Sequence, residues 1–143
     1  MIRRDFGARH GLAWVLLTLA LAAHVIDEAL NDFLSFYNPA VQAIRQAVPF
    51  LPLPTFTYES WLSVLILAVV VLAAITPLVV RGGRWTIFLS YFFSFFMILN
   101  GLGHIAVSFY LRRPMPGVYS SPLLLAAAAF LFHATRQRSA VKT

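Results

Sequence analysis

Two histidines and a group of carboxylates carry most of the chemistry available to this sequence. His24 and Glu28 are four residues apart, so on a helix they share one face, with Asp27 beside them and Asn31 and Ser35 further along the same stripe. Asn100, His104 and Ser108 repeat that spacing. Neutral imidazole and carboxylate suit zinc, and the same donors with open coordination positions suit non-haem iron. His24, Glu28 and His104 are therefore read as ligands of a divalent metal. Asp27 is a further ligand, a proton acceptor for catalysis together with Glu28, or a group that orients an imidazole N–H. Two other readings stay open: a metal-free hydrogen-bond or proton-relay network, and haem held by the two histidines.

These residues sit in an unusually apolar chain. Of 143 residues, 60% are hydrophobic and 11% charged, against about 25% charged in an ordinary soluble domain. That excludes a soluble or disordered chain, and it leaves no room for more than one membrane domain, residues 1–143. The formal charge of +6 does not indicate a nucleic-acid partner, because the Arg and Lys residues punctuate apolar runs instead of covering a face. The absence of cysteine removes disulfides, thiolate metal sites and a nucleophilic thiol.

The expected fold is all-α, an integral membrane four-helix bundle with short loops and a longer Pro-rich first outer loop. The predicted spans are 11–36, 60–80, 85–111 and 118–134. Arg81-Gly82-Gly83-Arg84 forces a tight return between the second and third, and Arg112-Arg113-Pro114 ends the third. The N-terminus, the second loop and the C-terminal tail together carry eight Arg and Lys residues, whereas Arg45, Arg112 and Arg113 lie on the other side. The positive-inside rule then places both termini in the cytoplasm, with the first and third loops outside. Arg3-Arg4 followed by an apolar run resembles an export signal, but the apolar pattern continues past Ala23 without a break, so the first span is read as uncleaved. In the first loop, Val41, Ile44 and Val48 face one way and Gln42, Arg45 and Gln46 another, the pattern of a short amphipathic helix on the outer surface.

Charged groups in such a span need compensation. A carboxylate near the centre of a membrane helix costs about 2.5 to 3.5 kcal/mol on insertion scales. No Lys or Arg falls inside a predicted span, so protonation or a bound cation is left. At about 1.5 Å per residue, His24 and Glu28 stand roughly 20 and 26 Å above Gly11, while Asn100 and His104 stand roughly 24 and 30 Å above Arg84. The two stripes thus share a depth in the outer half of the membrane. Ser90, Ser94, Gly101 and Gly103 are expected to serve helix packing, and His10 and His133 an interfacial role. Near the start of the fourth span, Pro122 fits an early helical position, read either as following a tight turn with an interfacial Tyr119 or as a helix N-terminus whose free N–H groups receive an anionic group, with Tyr119 and Ser120 adding hydroxyls.

His24-Val25-Ile26-Asp27-Glu28, the later Asn100 and His104, and the segment from Tyr110 to Pro122 with its Pro116-Gly117 resemble the HXXEE-motif family of small bacterial membrane proteins, whose function is not established. The sequence departs from the motif at Asp27, where the family name requires Glu. The resemblance implies a shared intramembrane polar site and supplies no reaction.

The leading functional expectation is a metal-dependent membrane enzyme, a hydrolase or oxidoreductase, acting on a membrane lipid or other apolar small molecule. Asn100, Asp27, Tyr119 and Ser120 would support substrate or ligands. The alternatives are a proton-coupled carrier, which with four spans would work as a homo-oligomer, and a metal-free structural or lipid-binding protein. Phosphate loops, an HExxH pair and a Gly-x-Ser-x-Gly elbow are absent from the sequence.

Overall fold

The structure, a computed structural model, describes residues 2–140, with side chains from residue 7. It is all-helical, with no strand among the described residues. Helix α1 covers Ile2–Leu30, α2 Leu34–Ala47, α3 Tyr58–Ala74, α4 Thr76–Arg81, α5 Arg84–Leu111 and α6 Ser121–Ala140. Three stretches, Gly7–Leu30, Tyr58–Arg81 and Arg84–Leu111, are long and apolar enough to cross a membrane. Helix α6 does not join them, because His133, Arg136 and Arg138 interrupt its second half.

The first span is shorter than the sequence pattern suggests. It ends at Leu30, not residue 36, because Asn31 donates its side-chain amide to the carbonyl and carboxylate of Asp27 and Asp32 turns left-handed at φ 54°. The Phe33 amide then bonds the Glu28 carbonyl, closing the end of the helix. Helix α5 closes the same way, with Arg112 at φ 53° and the Arg113 amide on Ser108.

The long first loop is also corrected. Much of it is α2, which starts before Tyr37 and runs through Pro39, and only residues 48–57 connect it to α3. The amphipathic pattern is present as α2 itself, with Val41 buried and Ile44 exposed. Asn38 ties α2 to the connection by two hydrogen bonds to the Phe56 backbone. The second predicted span is interrupted at Ile75, where Pro77 cannot donate a helical N–H. The missing N–H would have served the Ala73 carbonyl; next to it, the Leu72 carbonyl accepts from Trp14 Nε1 at 2.9 Å.

Helix α6 packs against both α1 and α5, and α1 also contacts α3 and α4. Half of the apolar stretch of α1 is buried, against 6% of Tyr58–Arg81, so α1 is central and α3 faces outward. The core is Trp14, Leu17, Val79, Leu124 and Leu131, each fully buried, with Ala13, Ala20, Ala127, Ala128 and Ala134 allowing close helix approach. The segment predicted as a fourth span from residue 118 is a turn as far as Ser120, and the helix proper begins at Ser121. That turn is wedged beside the last turns of α1 and α5, where it completes the polar cluster.

Candidate metal centre

The i,i+4 spacing on α1 sets His24 and Glu28 on one face, and α5 brings His104 to the same place. His24 Nε2 lies 3.6 Å and His104 Nε2 3.1 Å from Glu28 Oε1, with side-chain exposures of 1% for His24, 7% for Glu28 and 11% for His104. One donor atom from each residue lies within 4.8 Å of the other two. The rings meet edge to face with centroids 4.8 Å apart. The two separations from Glu28 bracket the edge of about 3.3 Å that an ion with bonds near 2.0 to 2.1 Å spans between tetrahedral ligands.

The surrounding hydrogen bonds fix which ring nitrogens face inward. His104 Nδ1 is 2.6 Å from the carbonyl of Pro116, a group that can only accept, so Nδ1 carries the proton. Ser120 Oγ donates to Asp27 Oδ2 at 2.7 Å, the carboxylate outcompeting the Gly117 carbonyl at 3.2 Å. With its one proton committed, Ser120 Oγ accepts from His24 Nδ1 at 2.8 Å. Both imidazoles therefore turn Nε2 toward one carboxylate oxygen. His24 Nε2 is buried and makes no hydrogen bond, and neither does the buried Oδ1 of Asn100, whose side chain adjoins the His24 ring. Lone pairs gathered in this way repel one another unless a proton or cation sits among them.

Asp27 does not reach this cluster of donors. Its Oδ2 also accepts from the Ser120 backbone N–H at 2.8 Å, at the start of α6. The anionic group expected at that helix N-terminus is thus supplied by the chain itself. The chain Asp27–Ser120–His24 links a carboxylate to an imidazole through one hydroxyl, the kind of support that orients a metal ligand. Tyr119 points away and is exposed. Ser120 is in contact with His24, and Asn100 borders the cluster.

Gly117 was legible only as part of a motif, yet it shapes the site most closely. It has φ +84°, and a Cβ there would stand 2.8 Å from Cε1 and Nδ1 of His104 and 2.9 Å from Cε1 of His24. Both imidazoles pack on the bare backbone. Gly101 fits the packing expectation, since a Cβ would meet Leu125 at 2.9 Å, but Gly103 faces open space. That space is a cleft of about 270 Å³ lined by Phe33, Phe36, Leu99, Asn100, Gly103 and His104. It leads from an apolar surface to the outer imidazole.

A second polar cluster lies at the opposite end of the bundle. His10 is fully buried and not interfacial: its Nε2 donates to Ser90 Oγ at 3.0 Å, while its Nδ1 accepts from Arg138 at 2.9 Å. Arg138 also donates to the carbonyls of Val79 and Val80, which end α4, and packs on Gly82 at φ +73°. Ser90 therefore bonds as well as packs. Sequence reasoning placed Arg138 in a basic tail, and only the continuation of α6 to Ala140 brings its guanidinium inward.

A family model described as a protein of unknown function with HXXEE motif matches residues 14–133. No curated protein and no solved structure matches the chain.

Proposed function

The chain belongs to the HXXEE-motif family, and from that membership together with the geometry around its motif we propose that it is an integral membrane protein whose residues His24, Glu28 and His104 hold one divalent metal ion, zinc or iron. The observation that carries this reading is that the Nδ1 atoms of both imidazoles are taken by Ser120 and the Pro116 carbonyl, which leaves both Nε2 atoms facing one oxygen of a buried carboxylate. Asp27 and Ser120 position His24, and the Pro116 carbonyl positions His104. Asn100 adds an amide oxygen beside the ligands. The 4.8 Å between ring centroids favours a bare ion over a haem, since a macrocycle needs more room between its axial rings.

In this reading α6 completes a four-helix membrane bundle with both termini cytoplasmic. Arg9, Arg81, Arg84 and Arg138 then cluster at the inner end, with Arg112 and Arg113 at the outer end. The metal centre lies at the level of the outer leaflet, and the cleft beside His104 admits a lipid or other apolar small molecule. A bound divalent ion supplies Lewis acidity and lowers the pKa of its water toward about 7. The protein residues contribute orientation: Glu28 holds negative charge beside both rings, Gly117 seats them, and the apolar walls of Phe33 and Phe36 exclude bulk water. The reaction is metal-assisted chemistry, hydrolytic with zinc or oxidative with iron.

Calorimetric titration of zinc or ferrous iron into chelator-treated protein tests the assignment. One binding event per chain is expected, lost in His24→Ala, His104→Ala and Glu28→Gln. A folded wild-type protein that binds neither ion, combined with pH-gradient-driven uptake in proteoliposomes that Glu28→Gln abolishes, would replace this reading with a proton-coupled carrier.

A further inference from the structure

Beside the apolar cleft lies a larger one of about 600 Å³, and the two share Phe36 and Met115. One wall of the larger cleft comes from the α1–α2 junction, with Asn31, Asp32 and Ser35, and the other from the α5–α6 connection, with Arg113 and Pro116. The two walls carry opposite charges. Asp32 accepts a hydrogen bond from Ser35 and forms no ion pair with Arg113 among the described residues. Pro116 belongs to this wall, and its carbonyl also holds His104. The polar cleft, the apolar cleft and the candidate metal centre are therefore contiguous.

We propose that the joined clefts bind a zwitterionic phospholipid taken from the bilayer. The proposal rests on the metal-centre reading for its catalytic meaning, but the groove itself stands on separate residues. The headgroup phosphate pairs with Arg113 and the headgroup ammonium with Asp32, which explains why one cleft presents both signs. The apolar portion follows Phe33, Phe36 and Leu99 through the smaller cleft, whose only polar side chains are Asn100 and His104. Leu99 is half exposed at the mouth, so the passage opens sideways onto the surface that lipid covers. The bonds linking headgroup to chain then lie next to His104, where metal-assisted chemistry would act. A free headgroup analogue lacks the second half of this contact. An anionic lipid lacks the partner for Asp32.

Native mass spectrometry of the full chain, released from detergent after incubation with phosphatidylethanolamine or phosphatidylglycerol, tests this directly. Metal content is measured on the same samples. The expected result is retention of phosphatidylethanolamine over phosphatidylglycerol by about fivefold, the effect of one exposed ion pair. Asp32→Asn should erase that preference, and Arg113→Gln should weaken retention of both lipids. Gly103→Leu fills the apolar cleft at a position where a Cβ meets nothing within 4 Å, so it should lose both lipids while keeping its fold and its metal. Should that variant fold poorly, the two exposed charge variants decide the matter. Equal retention of the two lipids by wild type would overturn the proposal, as would preference unchanged in both charge variants. Displacement of the lipid by free phosphoethanolamine at equal concentration would also overturn it. Metal binding without lipid preference would fail this inference alone, and lipid preference without metal would fail the metal-centre reading alone.

Discussion

Replacing Gly117 with alanine should damage the site and the fold together, by an amount the geometry sets. The backbone there has φ +84°, which costs a side-chain-bearing residue about 1 to 2 kcal/mol. The new methyl would stand 2.8 Å from two atoms of His104, whereas ordinary contact begins at 3.4 Å, so the ring must retreat by 0.6 Å. Overpacking of that kind costs about 1 to 3 kcal/mol. The retreat also strains the 2.6 Å bond from His104 Nδ1 to the Pro116 carbonyl, which fixes the inward-facing nitrogen. The combined loss should be about 2 to 5 kcal/mol of stability, with metal affinity down by about 10- to 100-fold. Denaturant unfolding in detergent and a metal-binding titration measure the two parts. Gly103→Ala is the internal control: it adds a methyl in open space within α5, where better helix propensity should make it neutral or up to about 1 kcal/mol stabilising. Wild-type stability and affinity in Gly117→Ala would refute the reasoning, as would equal losses in the two alanine variants.

Other expectations follow from the same contacts. Asp27→Asn keeps the shape but removes the charge that Ser120 binds, so metal affinity should fall by about 10- to 100-fold without loss of any ligand, as read by competition with a chelating dye. Arg138→Lys replaces a forked donor with a point charge and cannot meet the Val79 and Val80 carbonyls and His10 together; unfolding should show a loss of about 2 to 4 kcal/mol. Metal affinity should be unchanged in that variant, because His10 and His24 are roughly 21 Å apart along α1. Acidification from about pH 8 to about pH 5 should release the metal, since protons compete for the imidazole lone pairs; retention throughout would argue against histidine ligation.

How far the sequence carried this picture depends on the kind of residue. His24, Glu28 and His104 were legible because helical spacing and a fixed rise per residue place them at one depth before any packing is known. The breaks were partly hidden. Asn31 was counted as a polar member of a stripe, yet its side chain bonds backward to Asp27, and its neighbour Asp32 adopts a left-handed turn that ends α1. The roles of Ser120 and Gly117 depend on how the α5–α6 connection folds back between two helices, which local pattern does not specify. Arg138 was misread for a similar reason: an arginine near a terminus looks solvated until its helix is seen to run alongside the carbonyl end of another.

The central claim is that two histidines and a glutamate hold a metal ion within the helical bundle. Elemental analysis of protein purified without chelator addresses it most directly, with His24→Ala and His104→Ala prepared in parallel. The account predicts close to one equivalent of zinc or iron per wild-type chain and a near-complete loss in both variants. A folded wild-type protein without bound metal would contradict it, and so would metal content that survives both substitutions.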